Sequence, residues 1–384
     1  MLINVFFWTM IFIIAHTYIL YPIIIFIFAQ LFKANKNFPV SNYSVSIIIS
    51  AFNEEKVIRD RILNISKLNY DFNKIEVLVG SDCSTDHTNS ILTEMKEKFP
   101  WLSVYLFDVR RGKVSVINDL VSKVKNDIIV FTDANTVFDV DSLKLLLRQF
   151  GDPKTGGVCG RLLLQDPGTK LSESVEEKRY WDYETYIKKF EGQCGILIGA
   201  NGGIFAIRKK LFRQLPTIKP ITDDIFITLM ILQQKYKFSY DYDAFAQEEV
   251  GHEIIHEFKR KTRFAATNFE TMSYFKNLFI NKNLMLSYAF WSHKILRWLT
   301  PVFLILIFIL NILLFSGWIF KIFLIFQLTF YTLSYFGFLL RKSKFQTKLF
   351  SLPFYFTMTN FAMLIGMINF ILKRQTAYWQ STPR

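Results

Sequence analysis

The sequence predicts an α/β domain with a mainly parallel β-sheet, joined to transmembrane α-helices at both ends. Three observations support this: the chain is apolar overall, its charge is concentrated in the middle, and strand-like and helix-like stretches alternate there. Of its 384 residues, 51% are hydrophobic and 41 are Phe. The mean hydropathy of +0.23 is too high for an ordinary soluble domain. We therefore expect a membrane protein with one large domain outside the lipid.

Long stretches without Lys, Arg, Asp or Glu predict the membrane segments. Four of them are residues 1–31, 298–320, 322–340 and 349–372. Each is long enough to cross a hydrocarbon layer of about 30 Å as a helix. The predicted regions are an N-terminal transmembrane helix at 1–35, a cytosolic domain at 40–275, an interfacial helix at 280–298, and a membrane region at 299–384. That last region contains two spans plus a third span or re-entrant segment.

The distribution of basic residues predicts the orientation. Lys33 and Lys36 follow the first apolar stretch, and nothing basic precedes it. The positive-inside rule therefore places the N-terminus outside and the charged domain in the cytosol. We expect a multi-pass protein of the cell inner (cytoplasmic) membrane.

The formal net charge of +14 bears on the partners. Basic residues that flank membrane segments are attracted to anionic lipid headgroups. The sequence contains no Lys/Arg-rich aromatic groove pattern and no known nucleic-acid module. Membrane lipids are therefore the expected partners, and nucleic acid is not.

The charged middle alternates apolar, β-branched runs with helix-like stretches. The runs are residues 45–50, 75–80 and 127–132, and a polar helix is predicted to start near Glu54 after the first of them. This alternation predicts a parallel sheet covered by helices on both faces. Ligands of such sheets bind beyond the carboxyl ends of the strands, so the residues there are candidates for function.

Carboxylates lie at three such positions. Asp82 and Asp133 follow the second and third strand-like runs, and Thr222-Asp223-Asp224 follows a proline-containing loop. Each alone would be explained as a helix cap. Together they provide what transfer from a sugar diphosphate requires: oxygen ligands for a divalent cation and a carboxylate that takes a proton from an acceptor hydroxyl.

At this point the sequence resembles the membrane-bound family 2 glycosyltransferases, which include cellulose, hyaluronan, chitin and poly-N-acetylglucosamine synthases. The resemblance covers nearly the whole chain and implies a GT-A (nucleotide-diphospho-sugar transferase) domain between membrane spans. The stretches that carry it are residues 45–55, 80–88, 111–113, 131–136, 199–208 and 222–224.

The resemblance also implies roles for individual residues. Asp224 is the expected general base, and Gly199 to Gly203 allow close approach of the backbone to a sugar. The nucleotide-sugar site is expected to contain Ala51, Phe52, Glu54, Asp82, Lys113 and Arg263. The acceptor side is expected to contain Thr222, Asp223, Arg260 and Phe264. The expected ligands of Mg²⁺ or Mn²⁺ are Asp133 and Asn135.

Two motifs depart from the family pattern. The D-x-D motif is Asp133-Ala134-Asn135, so an amide replaces its second carboxylate. The Q-x-x-R-W motif keeps Arg263, but Arg260 replaces the glutamine and Phe264 replaces the tryptophan. Both replacements in the second motif concern acceptor handling and processivity.

The expected function is inverting transfer of a sugar from a UDP-sugar to a growing polysaccharide, with accessory export subunits as further candidate partners. Non-processive glycosylation of a membrane lipid is the alternative. A more distant alternative is a membrane zinc metalloprotease, because His252, Glu253 and His256 match H-E-x-x-H.

Overall fold

The computed structural model describes residues 1–31, 42–165, 172–249, 254–341 and 347–374. The chain forms two compact units. The sheet unit comprises residues 28–165, 188–250 and 376–384, and the helical unit comprises residues 1–27, 166–187 and 251–375. Both units are therefore built from segments that are not contiguous in sequence.

The described strands form one eight-stranded sheet with the order β3-β2-β1-β4-β7-β6-β8-β5. The strands are β1 Val45–Ala51, β2 Ile75–Asp82, β3 Leu102–Phe107, β4 Ile128–Phe131, β5 Val137–Phe138, β6 Thr155–Gln165, β7 Phe205–Arg208 and β8 Lys237–Glu249. The four strands β3, β2, β1 and β4 are mutually parallel. Strand β7 runs antiparallel to both β4 and β6, whereas β6 and β8 are parallel. The predicted mainly parallel sheet is confirmed.

The described α-helices follow in chain order. They are α1 Leu2–Ala15, α2 Tyr21–Leu31, α3 Ile58–Ile65, α4 Thr88–Lys98, α5 Lys113–Lys123, α6 Ser142–Arg148, α7 Ser172–Gln193, α8 Asp223–Gln233, α9 Ile254–Ser273, α10 Leu284–Ala289, α11 Leu296–Trp298, α12 Thr300–Leu313, α13 Trp318–Leu340 and α14 Lys348–Ile371.

Tight packing brings α5 onto the sheet. A Cβ atom at Gly80 of β2 would lie 2.5 Å from Val116 of α5, so only glycine permits this approach. Val116, Ile117 and Leu120 of α5 are buried. The close contact fixes the N-terminus of α5, and with it Lys113, beside the carboxyl ends of the parallel strands.

The helix predicted near Glu54 starts later, at Ile58. The turn before it is bonded to the loop after β2 instead. The amide of Glu54 donates to Thr88 Oγ1 at 2.8 Å, and the amide of Glu55 donates to Asp86 Oδ2 at 3.1 Å. These donors are satisfied by side chains of a neighbouring loop, which displaces the helix start by one turn.

Among the described residues, three helical segments are long and apolar enough to cross a membrane: Leu2–Leu31, Trp318–Leu340 and Lys348–Ile371. The first consists of α1 and α2, joined by the π-helical residues His16–Leu20. A bent pair, Leu284–Trp298 and Thr300–Leu313, adds a fourth if it is one broken span, with 61° between its parts. The apolar stretch 349–372 thus forms a single helix of spanning length.

Within the helical unit, α9 packs closely on α14. A Cβ atom at Gly366 of α14 would lie 2.4 Å from the Cβ of Ala265 and 2.6 Å from the carbonyl oxygen of Thr262. Glycine therefore lets the two helix backbones approach, as small residues do between membrane helices. This contact anchors the helix that carries Arg260 and Arg263.

A buried ion cluster joins α7 to Leu284–Trp298, the first part of the bent pair. The carboxylate of Glu184 pairs with the guanidinium of Arg297 and lies 3.1 Å from Nε2 of His293. The rings of Tyr18, Tyr180 and Tyr183 each lie 5.2 Å from the Arg297 guanidinium carbon. Lys294 is also buried here, with its Nζ 3.5 Å from Nε2 of His293, so three basic side chains lie near this one buried carboxylate. Such opposite charges compensate the cost of burying Glu184.

Candidate active site

The loops after β1 and β2 are joined by side-chain hydrogen bonds. Ala51, predicted at the nucleotide site, is the last residue of β1 and is buried. Asn53 follows with a positive φ of 54°. Its amide nitrogen donates to Ser84 Oγ at 3.1 Å, and its Oδ1 accepts from the amide of Thr85 at 2.9 Å. Asparagine tolerates this left-handed conformation, so it turns the chain here while holding the second loop.

An arginine that sequence reasoning missed stacks on a predicted site residue. The guanidinium carbon of Arg110 lies 3.6 Å from the centre of the Phe52 ring. Planar guanidinium and aromatic groups stack favourably, and Phe52 directly follows the carboxyl end of β1. The signal available in the sequence was the position of Arg110 next to Arg111-Gly112-Lys113.

Asp82 at the end of β2 holds the loop that leads into α5. Its Oδ1 accepts from the amide of Arg111 and its Oδ2 from the amide of Gly112, both at 2.8 Å. Gly112 has a φ of 86°, which favours glycine, and α5 begins at the next residue. Each carboxylate oxygen can accept a further hydrogen bond, so contact of Asp82 with a nucleobase stays a prediction.

Lys113 links two of the predicted carboxylates. Its Nζ lies 2.8 Å from Asp133 Oδ1 and 3.1 Å from Asp223 Oδ2. The two aspartates come from different parts of the chain, one after β4 and one at the start of α8. Their negative charges raise the pKa of Lys113 against the opposing effect of burial, so the side chain is a cation here.

Gly202 lies against both of the carboxylates predicted to do chemistry. A Cβ atom on Gly202 would be 3.3 Å from Asp224 Oδ2 and 3.5 Å from Asp133 Oδ2. The structure therefore brings together the predicted metal ligand Asp133, the predicted base Asp224 and the glycine-rich loop, residues 199–203. A side chain at position 202 would occupy the space between these oxygens.

The environment of Asp224 suits a proton acceptor. Burial, followed by the negative charge of Asp223, raises the pKa of Asp224 to about 6. Lys113, Lys188 and a hydrogen bond from the amide of Ile225 act in the opposite direction. The amide of Ile225 donates to Asp224 Oδ1 at 2.6 Å, which leaves Oδ2 facing Gly202. A carboxylate with this pKa is ionised near neutral pH yet remains basic enough to accept a proton.

Arg61, which sequence reasoning also missed, supports the loop that carries Asp133. Its NH2 group donates to Thr132 Oγ1 at 3.0 Å, and its guanidinium stacks on Phe138 at 4.3 Å. Its NH1 group also donates to Asn64 Oδ1. The Asn64 side chain in turn donates to the carbonyl oxygen of Phe138 and accepts from the backbone amide of Phe138. Among the described residues Arg61 forms no ion pair, and burial lowers its pKa to about 9.

The carboxylate of Asp133 fits a divalent cation of the kind the sequence predicts. Its side chain is 32% exposed, and its Oδ2 faces the space beside Gly202. Asn135 is held by β8, because its Nδ2 donates to Glu248 Oε1 at 2.8 Å. No cluster of three or more His, Cys, Asp or Glu side chains suited to a metal occurs in the described ranges. The residues fit a cation with one or two protein ligands and a remaining shell of phosphate oxygens and water.

The other predicted acceptor-side and diphosphate residues belong to α9 of the helical unit. Arg260 donates to Glu177 at 2.5 Å and to Glu257 at 2.7 Å. Arg263 lies 5.2 Å from the centre of the Phe264 ring, which is 41% exposed. Their roles at the diphosphate and the acceptor stay predictions.

The remaining predictions concern Thr222, Glu54, the zinc motif and the basic residues after the first apolar stretch. Thr222 immediately precedes α8, and Glu54 lies in the turn between β1 and α3. Of the H-E-x-x-H motif, His252 and Glu253 lie outside the described residues, as do Lys33 and Lys36 of the topology argument.

The chain resembles known glycosyltransferases. Residues 46–215 match the family model described as "Glycosyl transferase family 2". The poly-beta-1,6-N-acetyl-D-glucosamine synthases of Staphylococcus aureus (strain COL) and Staphylococcus epidermidis are 24% identical to it over 232 and 231 residues. Each alignment covers 59% of this chain and 55% of the relative. The chain thus spans about half the length of the curated relatives it matches.

A solved structure shares the fold. The mannosyltransferase PcManGT from Pyrobaculum calidifontis, solved in complex with GDP-Man and Mn²⁺, superposes with a TM-score of 0.72 at 18% sequence identity. The match covers 96% of this chain and 100% of that one. Together with the sheet described above, this likeness confirms the predicted GT-A fold.

Proposed function

We propose that this chain, a glycosyltransferase of family 2, transfers a sugar from a UDP-sugar donor to a growing polysaccharide at the inner membrane. The observation that carries the proposal is the position of Gly202 between the carboxylates of Asp133 and Asp224. The likeness to poly-N-acetylglucosamine synthases supports the polysaccharide product. The sheet unit, which contains the site, is proposed to lie in the cytosol, where nucleotide sugars are available.

Asp224 acts as the general base in this proposal. Its Oδ2 faces the space beside Gly202, and its pKa of about 6 matches the task near neutral pH. The acceptor hydroxyl gives its proton to Asp224 as its oxygen attacks the anomeric carbon. The bond from that carbon to the nucleoside diphosphate breaks in the same step, with inversion. Holding both reactants in this space supplies a large part of the rate enhancement.

Lys113 stabilises the departing diphosphate. Its ammonium group lies among Asp133, Asp223 and Asp224, at the edge of the sheet where phosphates bind in this fold class. A divalent cation held by Asp133, with Asn135 beside it, would neutralise negative charge on the diphosphate when bound. We propose Mg²⁺ or Mn²⁺, and the Mn²⁺ in the mannosyltransferase structure supports this class of ion. Arg263 is proposed as a further diphosphate contact.

One observation favours a second candidate function. Arg260 and Phe264 stand where the processive synthases have glutamine and tryptophan. Transfer of a single sugar to a membrane lipid is therefore the second candidate.

Donor turnover by the purified full-length protein in detergent tests the proposal. UDP-N-acetylglucosamine, UDP-glucose and GDP-mannose are offered separately with Mg²⁺ or Mn²⁺, and the products are separated by size. A polymer from a UDP-sugar supports the proposal, and a single sugar on lipid supports the second candidate. Absence of turnover with every donor, under conditions where the protein stays folded, contradicts both. Full activity with excess chelator contradicts the metal assignment.

A further inference from the structure

A buried lysine near the C-terminal end of α7 contacts the glycine-rich loop of the site. Lys188 is 9% exposed, and its Nζ donates to Asn201 Oδ1 at 2.5 Å. A buried ammonium group is costly unless hydrogen bonds or opposite charges compensate it. The geometry around Lys188 is therefore determined by the polar groups it contacts, and Asn201 is one of them.

Asn201 is held on several sides. Its Nδ2 donates to the carbonyl oxygen of Gly160 at 2.7 Å, and its amide nitrogen donates to Cys159 Sγ at 3.1 Å. Its carbonyl oxygen accepts from the amide of Ile204 at 3.0 Å. Because Lys188 can only donate, it fixes the amide oxygen of Asn201 on its own side and the amide nitrogen on the side of Gly160.

The residue after Asn201 is Gly202, the glycine beside the two reactive carboxylates. A Cβ atom at this position would lie 3.3 Å from Asp224 Oδ2 and 3.5 Å from Asp133 Oδ2, so a shift of the loop changes the space beside both carboxylates. The charge of Lys188 also acts directly on the base, because Lys188 and Lys113 both oppose the increase in the pKa of Asp224. Lys188 therefore affects both the shape and the charge of the site.

We propose that Lys188 is a positioning residue for the transfer reaction: through Asn201 it holds Gly202 against Asp133 and Asp224 and so fixes the space for the reacting sugar. This inference rests on the proposed function of the site. It assigns Lys188 no proton transfer and no contact with the nucleotide. The predicted consequence is that loss of Lys188 affects kcat and leaves affinity for the free nucleotide unchanged.

The test compares Lys188→Met, Asn201→Ala and the double variant with the wild type. Lys189→Met is the matched control, because Lys189 is the next residue of α7 and its ammonium group lies 4.6 Å from the Tyr242 ring instead. We expect each single variant to lower kcat about tenfold or more, since small displacements at a reacting centre are costly. Binding of UDP alone is expected to stay unchanged. The double variant is expected to lose less than the product of the two single losses, because the two residues share one contact.

Two further readouts separate this role from a merely structural one. Lys188→Arg keeps the cation and is expected to recover part of kcat, whereas Lys188→Met moves the acid limb of the pH–rate profile upward. Independent, multiplicative losses in the double variant would overturn the proposal, as would normal kcat in Lys188→Met. If Lys188→Met does not fold, Asn201→Ala still tests the loop contact. A wild type without any donor turnover contradicts the proposed function instead, so the two failures are distinguishable.

Discussion

The two units differ in how their buried charged side chains are paired. In the helical unit, one carboxylate, Glu184, is matched by Arg297 and lies next to His293. In the sheet unit, Lys113 pairs with both Asp133 and Asp223, and Asp224 lies close enough to affect its pKa. The first cluster is enclosed and surrounds its single carboxylate with basic side chains, including the buried Lys294, whereas the second has excess negative charge and an open carboxylate. The difference indicates that the first cluster stabilises the fold and that the second is arranged to receive a cationic or proton-donating ligand.

The largest expected effect is on catalysis in the sheet unit. Asp224→Asn removes the proton acceptor while keeping its shape, and we expect kcat to fall by a factor of about 10²–10⁴. The melting temperature is expected to stay the same or rise, because one of several crowded carboxylates is neutralised. Turnover and thermal unfolding of the same preparation check this. Asp243→Asn, at an exposed carboxylate paired with Arg148, is the control with expected normal activity.

The helical unit is expected to give the opposite result. Arg297→Met leaves the carboxylate of Glu184 buried without its guanidinium partner, and breaking a buried pair in this way costs about 3–5 kcal/mol. We expect a clear fall in melting temperature. The double variant Glu184→Gln, Arg297→Met removes both charges of the pair but leaves the buried Lys294 without the nearby carboxylate, so it is expected to recover only part of the loss. If the single variant is as stable as the wild type, this cluster does not hold α7 to Leu284–Trp298.

The pH dependence of turnover tests the assignment of Asp224 in the sheet unit. Asp224 must be ionised to accept a proton, and burial followed by Asp223 raises its pKa to about 6. Activity is therefore expected to be full well above pH 6 and to fall about tenfold per pH unit below it. Asp223→Asn removes the nearby negative charge and is expected to move this acid limb to lower pH. An acid limb that stays in place in Asp223→Asn would contradict the assignment of Asp224.

A smaller effect is expected at Arg61, which supports the loop of Asp133 through its hydrogen bond to Thr132. Arg61→Met removes the hydrogen bonds to Thr132 and Asn64 but also removes a buried charge without a described ion-pair partner. We expect stability to change little and affinity for Mn²⁺ in the presence of UDP to fall about tenfold, as for other groups that support metal ligands. Titration of Mn²⁺ by electron paramagnetic resonance measures this directly. Unchanged affinity would limit Arg61 to a packing role.

Much of the fold and part of the site were predictable from sequence. The runs 45–50, 75–80 and 127–132 are apolar and β-branched, and strands β1, β2 and β4 lie at these places because burial on both faces requires such residues. The carboxylates after these runs were predictable because parallel strands end at one edge. That rule explains why Lys113, after β3, meets Asp133, after β4. It does not predict Asp223, which follows the antiparallel strand β7 and a long loop.

What the sequence did not reveal depends on long-range contacts. Lys188 and Arg61 lie in ordinary helical stretches, and nothing local distinguishes them from exposed basic residues. Their function follows from burial and from partners 13 and 71 positions away in the chain, Asn201 and Thr132. The start of α3 was misplaced for the same reason, since the donors of residues 54 and 55 bond to a distant loop. Periodicity carries no information about such pairs.

The central claim is direct displacement by an acceptor hydroxyl that Asp224 deprotonates. The measurement that tests it most directly is the anomeric configuration of the product, observed by NMR during transfer from an α-configured nucleotide sugar by the full-length protein. A single displacement predicts a β-linked product. An α-linked product would contradict the mechanism, because it requires either two successive displacements or attack from the face of the leaving group.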